Sequence, residues 1–308
     1  MADKGPKRII VLGIMRSGTS LTAELVRLWG AYAGEKDELW KWEPSDPRGY
    51  GYMEYIPLQN LNNDLLDHNE AVPPAPEILE DKANDPTYRD RALELIHAMD
   101  KHASKSEAIA WVWKDARTVL TLAFWEKILQ DPIYIITVRH PIETTLSAAK
   151  TEEMDEESIP FSAGLAYWQY CMWNLLNFTQ DNPHKMFIAY DQLLSKPVQE
   201  CTRLAHFLDQ HCEVQKQWAQ KRIDDMLPQI STGERHYHSQ KSLADMEQVT
   251  REQRMLYNFL RVKTLYPDED FNKDDFALYP GWKEYLQAMD MLMQMSKVQY
   301  ANEAQISK

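Results

Sequence analysis

The strongest constraint on this chain lies near its start. Ile9-Ile10-Val11-Leu12 is a β-branched run that stops at Gly13, and from Thr19 to Trp29 the apolar residues recur at helical spacing, with Leu21, Leu25 and Leu28 on one face. The connection, Gly13-Ile14-Met15-Arg16-Ser17-Gly18-Thr19-Ser20, has the spacing G-x-x-x-x-G-x-[ST]. A strand enters this loop and a helix leaves it, which is the context in which backbone N–H groups and a helix N-terminus converge on an anion. The pattern departs from the Walker A loop at one place, where Thr19 replaces the usual Lys. Arg16 is the only cation in the loop. A nucleoside-triphosphate enzyme uses the missing Lys on its β- and γ-phosphates and the next hydroxyl on Mg²⁺. This loop therefore suits an anion of lower charge with no bound metal.

Three further apolar runs read as strands buried on both faces, Ile109–Trp113, Ile133–Val138 and Met186–Ala189. Between them lie helical patterns. Ala92, Leu93, Leu95, Ile96 and Met99 form one apolar face, and Val119, Leu122, Ala123, Trp125 and Ile128 another that Pro132 ends. Phe161–Phe178 reads as a long aromatic helix and Val198–Leu208 as a shorter one, while the chain beyond Glu213 reads as helices and loops. Val72-Pro73-Pro74-Ala75-Pro76 reads as a surface loop before a helix. With no repeat and no composition shift, the expectation is a single α/β domain over 1–308, with a core at 8–210 and a helical and loop part at 211–308. Its architecture is a P-loop-type sandwich: a central, mainly parallel sheet flanked by helices, with helical C-terminal additions.

Composition removes other classes. The 34 Lys and Arg against 47 Asp and Glu leave a net charge of −13, which opposes electrostatic gripping of nucleic acid. The apolar run after the N-terminus stops at Arg16, too short for a signal-peptide core, and no stretch reaches the eighteen or so uninterrupted apolar residues of a membrane span. Cys171, Cys201 and Cys212 have no metal-ligand or CxxC spacing and read as free thiols of a reducing compartment. The chain is expected to be cytoplasmic, with no nucleic-acid or membrane partner.

A second anion site is legible at Arg139-His140-Pro141, where a strand ends and a helix opens with Pro near its first position. Ser147 follows on the second turn of that helix, so Arg139 and Ser147 can reach one phosphate. With both loops in this order, the chain resembles the sulfotransferases that use 3′-phosphoadenosine-5′-phosphosulfate (PAPS). Trp113-Lys114-Asp115-Ala116-Arg117 is similar to the W-K-D-P-R segment of bacterial members, with Ala116 in place of Pro. Asp46-Pro47-Arg48-Gly49-Tyr50-Gly51-Tyr52-Met53-Glu54 is similar to their N-P-x-G-Y-x-E segment, with extra residues before the Glu. Tyr190-Asp191-Gln192-Leu193-Leu194 resembles a Y-E-D-L element, and Arg235-His236 falls where the family has a basic closing loop.

The resemblance implies sulfuryl transfer from PAPS to a hydroxyl, or less favourably an amine, with release of 3′,5′-ADP and no metal. It assigns the 5′-phosphosulfate to Arg16, Ser17, Gly18, Thr19 and Ser20, and the 3′-phosphate to Arg139 and Ser147. Tyr190 falls near the adenine, and Arg235 and His236 close over the donor. Arg16 and Lys114 would act on the sulfuryl and bridging oxygens. Glu54 is the first choice for general base, with His68, Glu43 and Asp46 as rivals, and with simple pairing to Arg48 or another cation as the alternative for Glu54 itself. His140 would support the second loop. Asp115 and Arg117 either pair to orient Lys114 or contact substrate.

The acceptor is expected to be a small, neutral or cationic natural product or metabolite, since the net charge opposes an extended polyanion. Trp29, Tyr32, Trp40, Trp42, Tyr50, Tyr52 and Tyr55 suit a lid or acceptor wall, whereas Tyr167, Trp168, Tyr170 and Trp173 at helical spacing suit the core. The family's dimerisation motif has no counterpart, which leaves oligomeric state open. Two other readings remain, a P-loop kinase and a non-catalytic nucleotide-binding protein. The first lacks its Lys and a metal-binding carboxylate, and the second does not account for Lys114 and Glu54 beside both loops.

Overall fold

The computed structural model describes residues 5–40, 51–67, 73–149, 161–214, 219–230, 243, 246, 247 and 249–265. Four strands form one parallel sheet in the order β2-β1-β3-β4. They are β1 (Lys7–Leu12), β2 (Ala110–Lys114), β3 (Ile133–Val138) and β4 (Lys185–Ala189). Every residue of β2 and β3 is buried, which is why these runs are apolar without alternation up to Lys114 and Thr137 near their C-terminal ends. In register, Ile9 stands between Val112 and Ile133, and Ile136 faces Phe187.

The chain leaves β1 for β2 on one side and returns to β3 on the other. The loops after β1 and β3 therefore diverge, and in open α/β sheets a ligand crevice lies outside the strand ends where the order reverses. Beyond β2, residue Tyr32 continues the ladder: its N–H donates to the Ala110 carbonyl at 2.9 Å and its carbonyl accepts from the Val112 N–H at 2.8 Å.

The helices are α1 (Thr19–Trp29), α2 (Ile56–Leu65), α3 (Pro76–Asn84), α4 (Pro86–Lys105), α5 (Thr118–Ile128), α6 (Pro141–Ala149), α7 (Phe161–Thr179), α8 (Tyr190–Ser195), α9 (Pro197–His211), α10 (Ala219–Met226) and α11 (Arg251–Leu265). Helix α1 packs on β1, β2 and β3, α4 on β2, α9 on β4, and α11 on β3 and β4. Helix α5 is apolar on nearly every side because it lies between α3 and α7, and Phe124 and Trp125 are fully buried there. Trp125 meets Trp113 of β2 edge to face at 4.4 Å between ring centroids, a geometry that adds about 0.5–1.5 kcal/mol to the area buried. A smaller cluster of Ile142, Leu165, Leu243 and Val249 joins α6 and α7 to the C-terminal part. Past residue 213 the described residues carry helices and no strand. Among the described residues, no helix is long and apolar enough to cross a membrane.

Several expectations need correction. Leu93 is exposed, since the buried stripe of α4 is Ala92, Ile96, Met99 and Ala103, spaced by three and four residues. Pro73 is buried instead of lying in a surface loop. Trp29 and Tyr55 belong to the core. The Trp29 indole N–H donates to Asp209 at 2.8 Å, and the Arg222 guanidinium lies over its ring. In α7, Trp168 and Tyr170 are core as expected, whereas Tyr167 and Trp173, expected there with them, are only half-buried. All three cysteines are free and buried. Burial pushes the Cys171 thiol up to about 12 and that of Cys201 up to about 11.

Near the start of β1 and β4, on the sheet edge opposite the loops, His184 and His211 share an Nδ1–Nδ1 hydrogen bond of 3.0 Å. Burial lowers the pKa of His211, and the neighbouring His184 and Lys7 lower it further. One ring must stay neutral to accept the bond. Below the ordinary histidine range near pH 6.5, the unfolded chain binds a proton that the folded one resists, so this contribution to stability is lost as pH falls. Between pH 7 and pH 5.5 the melting temperature of the wild type should fall further than that of a His211→Gln variant. Parallel curves in a thermal-denaturation series would show that the pair has no such role.

Candidate active site

The loop after β1 closes on the neighbouring strand. At Gly13, φ is +154° and a Cβ would stand 2.1 Å from Thr137 Oγ1 of β3, so no side chain fits. Ser17 was expected among the anion contacts, but its hydroxyl donates to the Ile14 carbonyl at 2.6 Å and lies 2.8 Å from Thr137 Oγ1. Its N–H also donates to Ile14, at 3.2 Å. Ser17 thus ties the loop to the sheet. Gly18 caps α1 at φ +96°, and a Cβ there would meet the Tyr190 ring at 2.4 Å. Thr19 and Ser20 open α1, placing its unsatisfied N–H groups and positive dipole end at the mouth of the turn.

Arg16, Arg139, Ser147 and Tyr190 form a second group around this turn. Arg139 leaves the end of β3, is 8% exposed, and donates from Nη1 to the Arg16 carbonyl at 2.8 Å. That bond holds Arg16 in the left-handed region, at φ 64°, which a non-glycine residue adopts at a cost. Arg139 Nε pairs with Glu143 at 3.3 Å, and its guanidinium stacks on the Tyr190 ring at 4.6 Å. Arg16 Nε donates to Ser147 Oγ at 3.1 Å. The two anion loops legible in the sequence are therefore joined into one basic cluster. His140 lies beside it with its ring edge-on to Tyr257 of α11 at 5.2 Å.

Lys114, at the end of β2, is 3% exposed. Its Nζ donates to Glu54 Oε1 at 2.6 Å and to the Tyr52 carbonyl at 3.0 Å. The same carbonyl accepts from Ser20 Oγ at 3.2 Å, which links this pair to the first loop. Glu54 Oε2 accepts from Gln59 Nε2 at 2.9 Å and lies 3.5 Å from Arg117 Nη2. Glu54 does pair with a cation, and that cation is its expected catalytic partner. Arg117 donates from Nε to Asp115 at 2.9 Å and from Nη1 to Asn63 at 2.6 Å. Of the two readings for Asp115 and Arg117, the ion pair is present.

Asn62 completes the framework. Its Nδ2 donates to Asp115 at 2.8 Å and to Thr118 at 3.2 Å, and its Oδ1 accepts from Trp125 at 2.8 Å and Thr121 at 2.9 Å. The Asn62 amide is therefore fully used, as burial demands. Sequence reasoning missed Gln59 and Asn62. Their signal was two amides on the face of α2 that also carries Leu58, Leu61 and Leu65. The Trp40 and Tyr52 rings lie tilted to each other at 4.9 Å beside this segment, and with Tyr32 they are the described members of the expected aromatic wall that stay half-buried. Arg235, His236, Glu43, Asp46, His68, Arg48, Trp42 and Tyr50 lie outside the described residues.

The model of the sulfotransferase family matches residues 6–213, and the chain belongs to that family. No curated protein matches it. Among solved structures, a "Sulfotransferase Domain from the Curacin Biosynthetic Pathway" is 18% identical, with a TM-score of 0.43, covering 92% of this chain and 96% of that one. A sulfotransferase domain from the Synechococcus PCC 7002 olefin synthase is 17% identical, with a TM-score of 0.44 and coverages of 93% and 95%. Sulfotransferase STF1 from Mycobacterium tuberculosis H37Rv is 15% identical, with a TM-score of 0.41 and coverages of 84% and 76%.

The fit of Tyr190 on Gly18 generates a prediction. Gly18→Ala places a methyl group against a ring at a backbone conformation that alanine resists, so it should lower the melting temperature, by more than about 1 kcal/mol of stability. A variant as stable as wild type in chemical denaturation would show that the ring and loop separate freely.

Proposed function

We propose that this sulfotransferase moves the sulfuryl group of PAPS onto a hydroxyl of a small natural product or metabolite, amines being the second choice of acceptor. The observation that carries this reading is the Tyr52 carbonyl, which accepts from both Lys114 and Ser20 and so brings the Lys114–Glu54 pair to the anion loop. The residues present suit such a donor. The loop 13–20 supplies a turn in which side chains at Gly13 and Gly18 would collide with Thr137 and Tyr190, and Arg16, Arg139 and Ser147 supply guanidinium and hydroxyl donors for two anionic ends. PAPS supplies an activated sulfuryl group: the acceptor oxygen bonds to sulfur while the bond from sulfur to the 5′-phosphate oxygen breaks, its electron pair leaving with 3′,5′-ADP.

The protein's part is positioning, charge stabilisation and proton removal. Arg16 and Lys114 face the charge that spreads over the sulfuryl and bridging oxygens. Glu54 takes the acceptor's proton, and the hydrogen bond it accepts from Gln59 and its ion pair with Arg117 fix the carboxylate. Tyr190 flanks the adenine, and the family resemblance gives Arg235 and His236, which lie outside the described residues, a role in donor binding. Trp40 and Tyr52 offer an aromatic wall to the acceptor, and the three free thiols accord with a cytoplasmic setting.

Three measurements test this. In thermal shift, 3′,5′-ADP without Mg²⁺ should raise the melting temperature, whereas stabilisation by Mg·ATP alone would make the chain a kinase. Arg139→Ala should weaken 3′,5′-ADP binding about ten- to a hundredfold, the worth of a charged hydrogen bond, and an unchanged dissociation constant would remove Arg139 from the site. Glu54→Ala should cut turnover about 10²–10⁴-fold. Activity within threefold of wild type would transfer the role of base to another residue.

A further inference from the structure

The Lys114–Glu54 pair presents a conflict that points beyond these roles. A lysine expected to face the sulfuryl group and a carboxylate expected to take a proton are bonded to each other at 2.6 Å, both well buried. In that state neither can serve: the ammonium is turned to Glu54, and Oε1, the oxygen that would accept the proton, is covered by it. Yet the carboxylate does not depend on Lys114 alone. Oε2 is held from the other side by Gln59 at 2.9 Å and Arg117 at 3.5 Å. Arg117 is in turn fixed by Asp115 and Asn63. If Lys114 turned away, Glu54 would remain a compensated anion in the same place, with Oε1 uncovered.

We propose that the Lys114–Glu54 ion pair is a latch: the sulfuryl end of the donor draws Lys114 away, and Gln59 and Arg117 then hold Glu54 as the exposed base. This rests on the donor reading above and deepens it. Base strength becomes available only when the group to be transferred is in place, so an acceptor bound first meets a neutralised carboxylate. Gln59 and Arg117 are positioning residues, since they act through Glu54. The latch also competes with the donor. The apparent dissociation constant of a ligand is its intrinsic value divided by the fraction of protein in the competent state, so opening the latch by mutation should tighten binding of the sulfated donor.

The test is a binding cycle on the full-length protein by calorimetry, with PAPS and 3′,5′-ADP as the two probes and melting temperatures as the check on folding. Glu54→Gln, which keeps the shape and removes the charge, should bind PAPS about five- to tenfold more tightly than wild type, and 3′,5′-ADP within twofold. In a Lys114→Met background the same substitution should bring no gain. A gain that persists without Lys114 would mean simple relief of repulsion between Glu54 and the sulfuryl oxygens, and would overturn the latch. Equal or weaker PAPS binding by Glu54→Gln would overturn it too. Failure of wild type to bind either probe would instead overturn the donor reading itself. For the holding residues, Gln59→Met should lower kcat about tenfold with the KM for PAPS unchanged, and should cost nothing further when combined with Glu54→Gln. Additive losses would reduce Gln59 to a packing residue.

Discussion

The rest of the site depends on holding a buried ammonium and a buried carboxylate together. Taking each ion out of water costs several kcal/mol, and their attraction offsets this only when the remaining donors and acceptors are satisfied. Here they are satisfied from four places. The Tyr52 carbonyl accepts a second bond from Lys114, Gln59 and Arg117 face Glu54, and Asp115 balances Arg117. Asn62 links Asp115 to α5. Removing Glu54 would leave the Lys114 ammonium with only the Tyr52 carbonyl, whereas removing Lys114 leaves Glu54 facing Gln59 and Arg117. The polar chain from Asn62 to Lys114 is thus as much a structural element as α2 and β2, whose residues supply it.

Sheet order places that chain where it can act. Because β1 lies between β2 and β3, the loop after β1 has Lys114 on one side and Arg139 on the other. The contacts run in both directions. Ser20 reaches the Tyr52 carbonyl that Lys114 also holds, and Arg16 reaches Ser147 while Arg139 holds the Arg16 carbonyl. Three sequence segments far apart in the chain meet within a few hydrogen bonds because three adjacent strands end at the same edge.

Much of this was legible beforehand, for stateable reasons. Strands β2 and β3 are buried on both faces, so their runs are apolar until Lys114 and Thr137 near their C-terminal ends, and Gly13 and Gly18 mark places where the backbone excludes a side chain. The chemistry-bearing side chains Arg16, Lys114, Glu54 and Arg139 stood out because a charge at a strand end or in a glycine-bounded loop has no packing role. What escaped notice was the support. Gln59, Asn62 and Thr137 are uncharged, and although the two amides share the apolar face of α2, that spacing does not name Glu54 and Asp115 as the groups they satisfy. Direction was equally hidden: Ser17 lies among the loop hydroxyls yet turns into the sheet, and Trp29 sits in an aromatic-rich stretch yet packs inside.

The left-handed backbone at Arg16 bears on what Arg139 does. A side chain at that position is tolerated while the Arg139 guanidinium holds the Arg16 carbonyl in place. Position 139 therefore acts on position 16 through the main chain, whatever the side chain at 16 does for the substrate. Loss of the guanidinium at 139 would leave the Arg16 carbonyl without that donor at a turn whose backbone favours glycine or asparagine. One side chain thus serves the loop's conformation and its charge at once.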